Sequence, residues 1–164
     1  ALAYHPDALD GSELNGIAKT LYGAKAFDTA ILLLSKAIED DSELASAWGL
    51  RGDCHFQKGD YGKAIADFKK TVELDPGVAM GWNFLAYAYF NKKDYAQAFT
   101  TASKAIDLKP ENAGYWASRA KFYEAAGKYG QAAADCEKAL ELDPALESAR
   151  QILERCKKKA AGKK

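Results

Sequence analysis

Trp48, Trp82 and Trp116 stand 34 residues apart, and Pro76, Pro110 and Pro144 keep the same interval. Phe27, Tyr61, Tyr95 and Tyr129 form a third such series, and Ala30, Ala64, Ala98 and Ala132 a fourth. Independent series locked in one register mean that one small structural unit is reused along the chain. Such a unit cannot bury its apolar face alone and must stack on its neighbours.

Within one period the apolar spacing is helical. Trp82, Leu85, Ala86 and Tyr89 fall at i, i+3, i+4 and i+7, a single stripe of an α-helix. Asn91-Lys92-Lys93-Asp94 interrupts it, with Asp94 as N-cap of a second helix and Gln97 three residues on, as in a capping box. Ala98, Ala102 and Ala105 carry the second stripe, which Lys109-Pro110 ends because proline cannot continue a helix. The preceding period repeats the plan with Asp60 as cap and Asp75-Pro76 as stop. Small residues such as Ala86 and Ala98 let the paired helices approach, and Trp82 and Tyr95 fill the space around the contact.

These residues resemble the tetratricopeptide repeat (TPR), W-x2-L-G-x2-Y followed by A-x3-F, A and P over 34 residues. Residues 79–112 match it best, with Ala102 in place of the large aromatic. The second unit departs at Arg51, His55 and Thr71, and the fourth at Arg119 and Cys136. The first has Leu14 for Trp and Ser42 for Pro. The resemblance implies an all-α fold, a right-handed α-solenoid of antiparallel helix pairs. Its units are 11–44, 45–78, 79–112 and 113–146, after an N-terminal extension at 1–10 and before a capping helix and basic tail at 147–164. Pro6 argues against a long helix in the extension.

For function, the resemblance implies a non-catalytic scaffold that holds a peptide or helix of a partner protein in a concave groove lined by the first helix of each unit. The stripe opposite Trp82–Tyr89 contains Met80, Asn83, Phe84, Tyr87 and Phe90. The same positions elsewhere give Lys19 and Tyr22, then Leu50, Asp53 and Phe56, then Ala117, Ser118, Lys121 and Glu124. The middle of this surface is apolar, with charges toward its ends. Two readings are open: a groove for large apolar anchors, or side chains that pack between adjacent units. The carboxylate clamp of chaperone-binding members is not matched. Its positions read Asn15, Lys19, Leu50, Met80 and Phe84 in one frame, and Gly49, Asp53, Phe84, Gly114 and Ser118 in the other. Neither supplies the basic cluster a carboxylate needs, so no chaperone tail is expected as partner.

Composition narrows the remaining classes. The 23 Lys and Arg balance 23 Asp and Glu, so nothing points to nucleic acid. The balance hides an asymmetry: seven basic residues and one acid lie between Arg150 and Lys164. That asymmetry supports an alternative reading, a self-assembling scaffold with electrostatic or end-to-end contacts between copies. No run of 18 apolar residues suggests a membrane span. His5 and His55 have no metal-ligand spacing, and Cys54, Cys136 and Cys156 form no close pair. No metal, cofactor or enzymatic activity is expected, and the cysteines read as buried free thiols, with a Cys136–Cys156 bridge as the lesser reading. This favours a cytoplasmic location, a removed signal peptide staying open since the sequence does not begin with Met.

Overall fold

The computed structural model describes residues 9–161. Most of the 1–10 extension, with His5 and Pro6, and the terminal Lys163-Lys164 lie outside the described residues. Nine α-helices and no strand are found among those described. They are α1 (Gly11–Gly23), α2 (Phe27–Asp40), α3 (Ala45–Gln57), α4 (Tyr61–Leu74), α5 (Ala79–Asn91), α6 (Tyr95–Leu108), α7 (Ala113–Ala125), α8 (Tyr129–Leu142) and α9 (Glu147–Ala161). They fall into two compact units, Ala1–Asp75 with α1–α4 and Pro76–Lys164 with α5–α9.

In each unit consecutive helices pack as pairs through the small residues. Ala18, Gly52, Ala86 and Ala120, on the first helix of each pair, are buried. Volume is compensated across the contact. Gly52 meets Phe68, whose ring lies 2.9 Å from where a Cβ would stand, whereas Ala86 and Ala120 belong to pairs carrying Ala102 and Cys136 in Phe68's register. A larger residue at Gly52 would have to displace a fully buried ring.

The shared register of tryptophan and proline has a direct cause. Each indole N–H donates to the carbonyl six residues before it: Trp48 to Ser42 at 2.8 Å, Trp82 to Pro76 at 2.9 Å and Trp116 to Pro110 at 2.8 Å. Each bond ties the segment leading into a pair's first helix to that helix. Arg150 of α9 keeps the bond without the ring, its guanidinium donating to the Pro144 carbonyl at 2.8 Å. Leu14 of α1 has no such donor, and α1 is capped by Asp10 and Glu13, which exchange backbone-to-carboxylate bonds. Asp94 caps α6 by accepting from the Gln97 amide at 3.2 Å, but Asp60 makes no cap bond to α4 and lies instead 3.9 Å from His55. The turns inside the pairs contain one left-handed residue each, Lys25, Gly59, Lys93 and Gly127, and at Gly59 and Gly127 the missing Cβ removes the steric cost.

Arg51 and Arg119, which break the leucine pattern, are polar staples. Arg51 makes paired 2.8 Å bonds to Asp67 on α4 and a 3.0 Å bond to Ser35 on α2, so three helices meet at one guanidinium. Arg119 repeats this with Asp135 on α8 and Ser103 on α6, all at 2.8 Å. The carboxylates are buried and the guanidinium of each pair is 17–18% exposed.

His55 sits beside the first staple, 9% exposed, its Nδ1 without a hydrogen bond and 3.9 Å from the Asp60 carboxylate. Burial lowers its pKa from 6.5; Lys63 and Arg51 add to this, while Asp67 and Asp60 oppose it. The folded value is below the unfolded one, so the stabilisation is complete above about pH 6.5 and is lost as the unfolded chain takes up the proton first. Melting temperature should therefore fall on acidification from about pH 7.5 to 5.5, and His55→Tyr should flatten that part of the profile. A profile unchanged by the substitution would assign it elsewhere.

The three cysteines are buried and unbridged. Burial pushes the Cys54 thiol up to about 11 and Cys136 up to about 12, which keeps them protonated. In α9, Ala149, Ile152 and Cys156 are buried, and Leu153 is half-buried. Arg150, Glu154 and Lys157 occupy the register that Trp116, Ala120 and Tyr123 hold in α7, and all three are exposed.

Candidate functional site

The residues singled out from the sequence lie on the first helices of the pairs, and each unit arranges its own set. In Ala1–Asp75 they come from α1 and α3. The Asn15 amide donates to Ser46 Oγ at 3.0 Å, and the Gln57 amide reaches Tyr22 OH at 3.3 Å. Lys19 is exposed, and Leu50, Asp53 and Phe56 are half-buried. Burial and the adjacent Asp53 carboxylate push the Tyr22 phenol up to about 12. Phe56 packs edge-on against Tyr61 of its own pair, centroids 5.4 Å apart, so part of its face is already used.

In Pro76–Lys164 the set comes from α5 and α7 and divides in two. Tyr87 and Phe90 turn toward α7. Tyr87 meets Phe122 edge-on at 5.0 Å and hydrogen-bonds Ser118 Oγ at 3.2 Å, while Phe90 stacks on Phe122 at 4.7 Å. Met80, one turn before Phe84, is 55% exposed, and Phe84 is 36% exposed. Asn83 is half-buried with its Oδ1 unpartnered. Packing between neighbouring pairs thus accounts for Tyr87 and Phe90, and an apolar edge remains at Met80 and Phe84. Ala117 and Ser118 are both 7% exposed, so α7 contributes Lys121 and Glu124 to the surface rather than those two.

Phe122, fully buried at the centre of this aromatic group, is absent from the residues singled out in the sequence. It follows Lys121 on a helix with little apolar periodicity, and its register holds Cys54 and Ala88 elsewhere. The one available signal is that those small residues share a buried position. The α9 side chains are a second addition. Arg155 makes a two-pronged ion pair with Glu124 at 2.7 and 2.9 Å, and a cleft of about 410 Å³ opens between α7 and α9.

Among the described residues no group of three His, Cys, Asp or Glu is placed to hold a metal ion, and no helix is long and apolar enough to cross a membrane. What the surface offers is aromatic and aliphatic contact with scattered charge, the chemistry of protein recognition.

The sequence signature of the tetratricopeptide repeat matches residues 45–78, 64–113 and 113–146. The chain is a tetratricopeptide-repeat protein. Among curated proteins none matches this TPR chain in sequence. Similar solved structures include the MamA protein, 23% identical over 89% of this chain and 80% of that one, with a TM-score of 0.82. Another is the first TPR of Spaghetti (RPAP3) bound to the HSP90 peptide SRMEEVD, 28% identical over 74% of this chain and 96% of that one, TM-score 0.69. The Arabidopsis OM64 TPR domain is 23% identical over 71% of this chain and 96% of its own, TM-score 0.66. The TPR fold is one of protein–protein interaction.

Proposed function

We propose that this protein is a non-catalytic scaffold that captures a peptide or helix of a partner on the surface made by the first helices of its pairs. The observation that carries this is the division on α5. Tyr87 and Phe90 are consumed by Phe122, yet Met80 and Phe84 of the same helix stay exposed. Exposed apolar contacts on a pre-organised base are what a partner's anchor residues need. Tyr22, Leu50, Asp53 and Phe56 would serve the same role in the other unit, with Lys19 setting orientation. The Spaghetti TPR, held with a peptide, supports peptide capture as a use of this fold.

The test is a selection of displayed random peptides on the immobilised protein. Peptides selected on it should bind Met80→Ser, Phe84→Ser roughly tenfold or more weakly, from about 1.5 kcal/mol per buried side chain. Far-UV circular dichroism should stay unchanged for both variants, and the melting temperature should hold best for Met80→Ser, the more exposed of the two at 55% against 36%. Undiminished binding would remove these two residues from the site. Tyr87→Ser is the wrong variant for this purpose, since it also breaks contacts to Phe122 and Ser118. Association between copies is the competing reading, drawing support from the exposed Leu9, Ile17 and Leu32. Sedimentation in low and high salt separates them, a peptide-binding monomer at both favouring capture.

A further inference from the structure

The lining of the cleft between α7 and α9 includes Phe90, Lys121, Glu124, Gln151, Ile152 and Arg155. Its charges are not equivalent. Arg155 is already paired in two-pronged fashion with Glu124, through Nε and Nη2, so the charges of that pair offset each other. Lys121 is exposed and, among the described residues, has no carboxylate within ion-pair distance; its ammonium lies over the rings of Tyr87 at 5.3 Å and Phe90 at 5.8 Å. Those rings are themselves fixed by Phe122. The result is a positioned cation, without a carboxylate partner among the described residues, beside an apolar wall of Phe90 and Ile152 in a space of about 410 Å³.

We infer that this cleft takes an acidic side chain, Asp or Glu, next to an aliphatic residue within a partner peptide, the carboxylate pairing with Lys121. This rests on the reading of the first-helix surface as a peptide site and adds its chemistry. A ring-supported ammonium favours a carboxylate because the side chain is already held and the aromatic faces cannot satisfy its donors. The Lys121 ammonium matches one acid, and the Phe90–Ile152 wall accepts the neighbouring aliphatic group. The positions differ from those of the carboxylate clamp, whose places in this chain carry no such cation set.

The test uses the full chain against random peptides displayed without a free C-terminus. Enriched sequences should place Asp or Glu beside Leu, Ile or Val. An enriched peptide, synthesised acetylated and amidated, should lose roughly tenfold in affinity for Lys121→Gln, as for one charge-assisted bond. Lys104→Gln, a lysine removed from exposed α6 surface, should bind as the parent does. The charge-exchanged pair, Lys121→Glu with the peptide acid changed to Lys, should recover affinity, which a merely structural lysine would not allow. Enriched peptides that lack acids, or that ignore Lys121→Gln, overturn this inference and leave peptide capture standing. No enrichment at all overturns both. Affinity that appears only with a free C-terminal carboxylate overturns the assignment to a side chain.

Discussion

Phe122→Ala is expected to lower the unfolding free energy by about 3–5 kcal/mol, the range for removing a large aromatic from a packed core. Its ring is fully buried and is the common neighbour of Tyr87 and Phe90 on α5. Those rings are held from their own helix, Phe90 also lying 5.9 Å from Tyr95, so they cannot collapse into the void. The cost therefore belongs in the upper part of the range, because it rises with the volume left empty. Urea unfolding followed by far-UV circular dichroism measures it, with Phe122→Leu as a milder control. A loss below about 1 kcal/mol would mean that the two helices close over the gap. The variant should also weaken selected peptides, since Tyr87, Phe90 and Lys121 are positioned through this ring.

Asp135→Ala should be about as damaging, by a different route. It strips the Arg119 guanidinium of both carboxylate bonds and leaves the charge only partly exposed, with Ser103 and the faces of Trp116 and Tyr123 for company. Breaking a buried pair from one side costs about 3–5 kcal/mol. Replacing both partners together, Arg119→Met with Asp135→Leu, should cost far less, because no unpaired charge remains. Equal losses in the single and double variants would show that packing, not the stranded charge, sets the penalty. Unfolding curves of the full set form a double-mutant cycle that reads the coupling directly.

The staples also show where sequence reading stops. Helix pairs, their turns and the small-residue contacts follow from periodicity, because each depends on neighbours a few residues away. Arg51 and Arg119 look like lost leucines from that vantage, since the acid that explains each lies 16 residues on, across a turn. Asp60 has a cap residue's position, but its carboxylate makes no cap bond and lies toward the imidazole of His55 instead. At the candidate site, Met80 and Phe84 keep the exposure the helix wheel gives them, while Tyr87 and Phe90 are claimed by an aromatic on the next pair. A wheel drawn for one helix does not contain that neighbour. Nor does it show that α9 brings Arg155 to Glu124.

The serine that completes each staple has a consequence for how such a chain can grow. Ser35 and Ser103 are on the second helix of the pair before the arginine, and in α4 that same place holds Lys69. A gene copying event that set the α3–α4 pair behind another of its own kind would aim Arg51 at a lysine instead of a hydroxyl. Copying the α1–α4 block as a whole preserves every match. The grammar of this array is therefore written in couplets: a pair whose second helix carries the serine precedes a pair whose first helix carries the arginine, and the couplet, not the single verse, is what keeps the match.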